Sequence, residues 1–234
     1  MGWHSKPTGG YALVDLEAEE NAKQIFYTLH SWAWGLGAIA GVLGNLQYES
    51  GLNPWRWESD IVLRSDDIDI DDSYNHGYGF FQFTPAGKYC HSDDAIDILG
   101  FGPNYLDIPG SEYDGYAQLW FVDSYADYYP APPYQNISYQ QFKYMDSDPV
   151  LCADIWLVNY ERGTPSVLRG EYAEYWFDFL SDVTPIPPDT PESWKNLIGG
   201  IMAALRKGRG YADLQQRRMV KYNKNSRIRQ TRKN

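Results

Sequence analysis

"GNLQYESGLNP", Gly44 to Pro54, is the stretch on which the fold turns. Just upstream, Ile39, Val42, Leu43 and Leu46 recur at helical spacing, and Ala38, Ala40, Gly41 and Gly44 are small enough to admit close neighbours on several sides. The pattern predicts a core helix over 34–49. Gly51 stands where a left-handed C-terminal cap belongs and Pro54 blocks continuation, so Glu49 falls in or beside the last turn. The aligned carbonyls of a helix C-terminus carry partial negative charge, which costs a carboxylate about 0.3–1 kcal/mol. Partial burial acts in the same direction, favouring the protonated acid. A carboxylic acid that keeps its proton near neutral pH is what glycosidic cleavage needs to protonate a leaving oxygen. The competing reading is plain: glutamate is rarely buried unless paired, and many stand solvated at helix ends.

The totals bound the alternatives. With 234 residues, 43% hydrophobic and 16% aromatic, the chain can bury one substantial core and carry a tail. Nine Trp and 20 Tyr supply rings that stack on sugar faces or fill a core. No stretch reaches the roughly 18 apolar residues of a membrane span, and the N-terminus lacks the basic-then-apolar pattern of a secretory signal. Cys90 and Cys152 allow one disulfide or two thiols. His4, His30, His76 and His91 are dispersed, and only His91 adjoins a cysteine, so no zinc site and no cofactor is expected. In "DDIDIDDSYNHG" the alternating Asp67, Asp69 and Asp71 invite a calcium loop, but Asp72 occupies the obligatory glycine position and Tyr78 that of the bidentate glutamate.

Charge divides the chain. Residues 195–234 carry 12 Lys/Arg and one acid, Asp213, for a net of +11, which leaves −22 on the remainder. The organisation expected is a loose lead-in over 1–16, a folded body over 17–183, a stiff linker "TPIPPDTPES" over 184–193, and a basic tail over 194–234. Within the body, helices are expected at about 17–30, 34–49, 113–126, 149–159 and 170–180, and a short extended or hairpin segment at "GYGFFQFTPAGKY".

"ESGLNP" (Glu49 to Pro54) followed after a loop by "GYGFFQFTP" (Gly77 to Pro85) resembles the two leading motifs of the lysozyme-like superfamily, a Glu-Ser at a helix end and then a Gly-x-Gly-Leu-x-Gln strand. The chain is most similar there to the phage tail lysozyme family, virion-carried proteins that degrade cell walls. "WLVNYERGTPSVLRGEYAEYW" (Trp156 to Trp176) is similar to the family's later aromatic-Glu-Arg helix pair, and the likeness runs from about Glu17 to Leu180. Phe83 stands where the family usually has Trp, Phe80-Phe81 replaces a Leu-containing pair, and the acidic insertion before Gly77 is long.

The resemblance implies an α+β, mostly α, lysozyme-like fold with a small β-hairpin or sheet beside an active-site cleft. It implies that Glu49 protonates the β-1,4 oxygen between N-acetylmuramic acid and N-acetylglucosamine, opposite a second group for the oxocarbenium-like transition state. Glu58 in "WRWESD" is the first choice for that group, with Asp71 and Asp72 next. Gln82 and Thr84 are expected on a strand facing Glu49, Trp57 and Tyr78 against the sugar, and Tyr160 and Glu161 on the far wall. The activity implied is that of a muramidase on a phage tail, acting on bacterial peptidoglycan. A lytic transglycosylase of the same fold and a catalytically silent structural or wall-binding tail protein are the alternatives. Expected partners are peptidoglycan and other tail proteins, with the basic tail available to an anionic polymer, a membrane surface or a virion protein.

Overall fold

The computed structural model describes residues 3–5, 13–58, 76–86, 89, 114–125 and 128–184. The first helix, α1, spans Asp15–Ser31 and turns Ala22, Ile25, Phe26 and Leu29 inward. At its start the Glu17 carboxylate reaches back to accept the Val14 N–H at 3.0 Å, satisfying a donor that the helix itself cannot.

Helix α2, Leu36–Ser50, is the central element: every residue from Gly37 to Leu46 is buried. Fully burying Ile39, Val42, Leu43 and Leu46 contributes roughly 1.5–3 kcal/mol each. Gly51 ends the helix as expected, at φ 60° and ψ 32°, its N–H donating to the Gln47 carbonyl. Helix α3 spans Asp114–Tyr125, and its Gln118 ties two loops together, donating to the Pro54 carbonyl at 2.8 Å and accepting the Phe80 N–H at 2.7 Å. Helix α4, Tyr139–Lys143, was not expected from the sequence; Ser138 caps it by accepting the Gln141 N–H, while the side-chain carbonyl of Gln141 accepts the Ser138 N–H.

Helix α5, Pro149–Trp156, starts with Pro at its first position and with Asp148 accepting the Leu151 N–H at 3.1 Å. It does not stop at Trp156. It widens into a π-helical turn over Leu157–Glu161, which Arg162 ends in the left-handed conformation at φ 61°. Helix α6 follows at Val167–Ser181. Helices α1, α5 and α6 all pack on α2. The small residues of α2 set how close they come: a Cβ at Gly44 would lie 2.5 Å from the Arg169 carbonyl oxygen, so α6 rests directly on the backbone of α2.

The described residues contain no β-strand. In place of the expected hairpin stand two isolated antiparallel bridges, Trp57 with Tyr78 and Tyr78 with Phe83. Positive φ at Gly79 (78°) and Gln82 (44°) turns the chain back before a second pair can form. Ahead of α1, the buried Trp3 packs edge-on against Phe80 and Tyr116 at 5.3 and 4.9 Å. Cys152 is a free, buried thiol, its pKa pushed up to about 12 chiefly by that burial. The acidic loop with Asp67, Asp69, Asp71 and Asp72, Cys90, the linker beyond Thr184 and the basic tail lie outside the described residues. Among the described residues no helix is long and apolar enough to cross a membrane.

Candidate active site

The C-terminal end of α2 opens onto a groove of about 380 Å³, lined by Glu49, Glu58, Phe81 to Thr84, Leu157, Tyr160, Glu161, Gly163 and Arg169. Six of the residues singled out from sequence meet there: Glu49, Glu58, Gln82, Thr84, Tyr160 and Glu161.

Trp57 and Tyr78 do not, and this corrects the expectation that they stack on a sugar. Tyr78 is 1% exposed and Trp57 6%. Their rings pack on each other at 4.5 Å, and Tyr78 also stacks with Tyr89. Both are core residues under the loop, for the same reason that Phe80 is: the short bridged segment turns its larger rings inward. The groove aromatics are Phe81, Phe83 and Tyr160 instead, the last with one face covered by Trp156 at 4.2 Å and 18°.

Glu49 keeps a quarter of its side chain exposed (25%) and its Oε1 accepts from Arg169 Nη2. Helix carbonyls and burial were the only influences on Glu49 visible in the sequence; the structure adds a guanidinium. Arg169 reaches the site from the first turn of α6, placed there by the close approach of α6 to Gly44. Its Nη1 donates to Glu161 Oε2 at 2.6 Å and to Asn45 Oδ1 at 2.7 Å. Asn45 is held in turn by its own amide donating to the carbonyls of Gly41 and Ala153 at 2.9 and 3.1 Å. The guanidinium plane also lies over the Tyr48 ring, 4.4 Å from its centroid. A permanently charged, forked donor is the side chain suited to bridging two carboxylates in a partly dry site.

Glu161 is the more deeply placed of the two acids, 13% exposed, with Oε1 accepting the Trp156 indole N–H at 3.1 Å. Burial raises its pKa from 4.5 to about 7, against the pull of Arg169 and with a further push from the charge of Glu49. Glu58, also on the groove lining, is half exposed; its Oε2 accepts the Gly77 N–H at 2.8 Å and stands 3.9 Å from His76 Nδ1. Gln82 uses both amide hydrogens on backbone, donating to the carbonyls of Gly79 and Arg56 at 2.8 and 3.1 Å, which leaves its side-chain carbonyl oxygen as the hydrogen-bonding atom. Thr84 is exposed at the rim and donates to the Gln82 backbone carbonyl at 2.9 Å.

Glu49 and Glu161 were both identifiable from sequence, but not what joins them. Asn45, Trp156 and Arg169 all sit inside family-like stretches of the chain, yet only the fold brings them to one point. No group of three or more His, Cys, Asp or Glu among the described residues could hold a metal ion.

A helical body whose central helix delivers a glutamate into a groove that Glu58 and Glu161 also line defines a protein built around an acid-lined cleft. The sequence profile of the phage tail lysozyme family matches residues 20–180, and the chain belongs to that family. It is also 30% identical over 168 residues to morphogenesis protein 1 of Bacillus phage B103, an alignment covering 70% of this chain and 40% of that protein. The chain therefore spans well under half the length of this relative.

Proposed function

We propose that the chain is a muramidase that hydrolyses the β-1,4 bond between N-acetylmuramic acid and N-acetylglucosamine in peptidoglycan. The observation that carries this is that Glu49, at the end of a buried helix, and Glu58 line one groove. Glu49 gives its proton to the glycosidic oxygen as the bond to the sugar carbon breaks. Glu58 opposes the positive charge developing on that carbon and takes the proton of the water that adds to it. The Gln82 side-chain carbonyl oxygen accepts an acetamido N–H, Thr84 borders the same wall, and the Tyr160 ring flanks the sugar chain.

Membership of a tail lysozyme family and likeness to a phage morphogenesis protein support a place in a phage tail, where the activity opens the bacterial wall as the particle crosses it. Neighbouring tail proteins are then partners. The +11 of residues 195–234 suits an anionic one, whether wall polymer, membrane surface or an acidic virion protein.

Mass spectrometry of purified walls digested by the protein tests the chemistry. Hydrolysis leaves reducing N-acetylmuramic acid ends that carry added water. Anhydro-muramic ends would make the protein a lytic transglycosylase, and walls bound with no soluble fragment released would make it a silent wall-binding component.

A further inference from the structure

Glu161 has a counter-ion, a hydrogen-bonded indole and a place on the groove wall, yet neither the protonation of the leaving oxygen nor the addition of water employs it. We propose that Glu161 is a positioning residue for Glu49, acting through Arg169: the two carboxylates share one guanidinium and so hold one proton between them, which an ionised Glu161 releases to Glu49. This rests on Glu49 being the general acid.

The geometry sets the charge count. Arg169 Nη2 faces Glu49 and Nη1 faces Glu161, and Arg169 cannot give up its proton. With one carboxylate ionised the trio is neutral; with both ionised it carries a net negative charge in a mostly buried place, which desolvation disfavours. One proton is therefore retained near neutrality between the two acids. Glu161 holds the proton in the empty groove, because it is the more buried and its pKa stands near 7. Glu49 is then the carboxylate that occupies Arg169.

Substrate over Glu49 removes water from the more exposed of the two acids and raises the cost of its charge. The balance then moves: Glu161 becomes the ionised partner of Arg169 and Glu49 carries the proton. When the Glu49 O–H bond breaks and the new O–H bond forms on the leaving oxygen, the carboxylate left behind already faces the guanidinium, an interaction gained only as charge develops. The pair is reset by one proton from solvent.

The groups that face these acids fit this exchange. Glu49 meets Arg169 from α6 and Tyr48 from its own helix under the same guanidinium, and Glu58 lines the same groove. Glu161 meets Arg169, the charge of Glu49, the neutral indole of Trp156 and its neighbour Tyr160. Arg162 lies over the Tyr129 ring.

The test is the pH dependence of kcat on purified walls for the unsubstituted protein, Glu161→Gln and Glu49→Gln. Glutamine at 161 keeps the size and the acceptor for Trp156 but is always neutral, so Arg169 commits to Glu49 and holds it as a carboxylate. Glu161→Gln is expected to fold, to leave KM near its original value, to lower kcat at pH 7 about tenfold or more, and to move the alkaline limb of the profile about one unit to lower pH. An unmoved limb, or an equal loss at every pH accompanied by a lowered Tm, overturns the proposal. Glu49→Gln serves as the separate control: if it stays active, the general-acid assignment fails, whatever Glu161→Gln does.

Discussion

Trp156 and Glu161 stand on one face of a single helical segment, joined by a 3.1 Å indole-to-carboxylate hydrogen bond, because the turn between them is π rather than α. With about 3.6 residues per α-turn, side chains five apart point well away from each other. The wider turn, in which the Arg162 N–H returns to the Leu157 carbonyl, brings them round together. This one adjustment seats Glu161 against Trp156 while aiming its other oxygen at Arg169. Glu49, delivered by α2 from the far side, takes the remaining arm of the same guanidinium.

Arg169→Met should therefore be costly to the fold. It leaves Glu49 and Glu161 without the cation they share, and breaking a buried pair in this way costs about 3–5 kcal/mol. Urea unfolding at pH 7 should show a loss of that order. The loss should shrink as pH falls from 7 toward 4.5, because the ionised fraction of Glu161 disappears over that range.

The stability of the unsubstituted protein should itself depend on pH through Glu161. Its folded pKa of about 7 lies above the usual 4.5, so the folded state binds the proton more tightly than the unfolded chain. The favourable contribution is complete below about pH 4.5 and is lost as pH rises toward 7, on the order of 3 kcal/mol in all. Glu161→Gln has no such group. Denaturant midpoints of the two proteins across this window should diverge in favour of the glutamine variant as pH rises.

Tyr78→Ala and Trp57→Ala should act as core truncations, each lowering stability by about 3–5 kcal/mol. Where such a variant is still folded, its KM for wall fragments should be close to that of the parent, because neither ring faces the groove. Tyr160→Ala should show the reverse emphasis, a raised KM, since that ring lines the groove. Equilibrium unfolding and initial rates on soluble fragments separate the two behaviours.

Gly44→Ala tests how α6 is seated. The added methyl would meet the Arg169 carbonyl oxygen at 2.5 Å and the Ala173 nitrogen at 2.8 Å, both backbone atoms. The helices must separate slightly, at a cost of about 1–3 kcal/mol. Because Arg169 moves with α6, kcat should fall as well. Thermal melts and wall-lysis rates together check this.

The parts legible in sequence were those fixed by local chemistry. Helix α2 and its end followed from a run of small and aliphatic residues closed by Gly51 and Pro54, and that stop alone put Glu49 in the last turn. The start of α4 also carries a local signal, the Ser138 and Gln141 capping pair, although five residues are too few to show a helical period. Arg169 was out of reach because its importance comes from three partners, Asn45, Glu49 and Glu161, that lie on other elements. The π-turn leaves no periodic trace, since one added residue per turn over Leu157–Glu161 shifts no apolar pattern. Trp57 and Tyr78 were misplaced because an aromatic residue in a short irregular segment does not announce which way its ring will face.

The mechanism stands or falls on Glu49 as the proton donor. Clearing of a suspension of purified walls by Glu49→Gln, followed by absorbance at neutral pH, measures this most directly. The expected result is a folded protein, with circular dichroism and Tm close to those of the parent, whose lytic rate is lower by roughly 10²–10⁴-fold. Lysis by the folded variant at the parent's rate would contradict it.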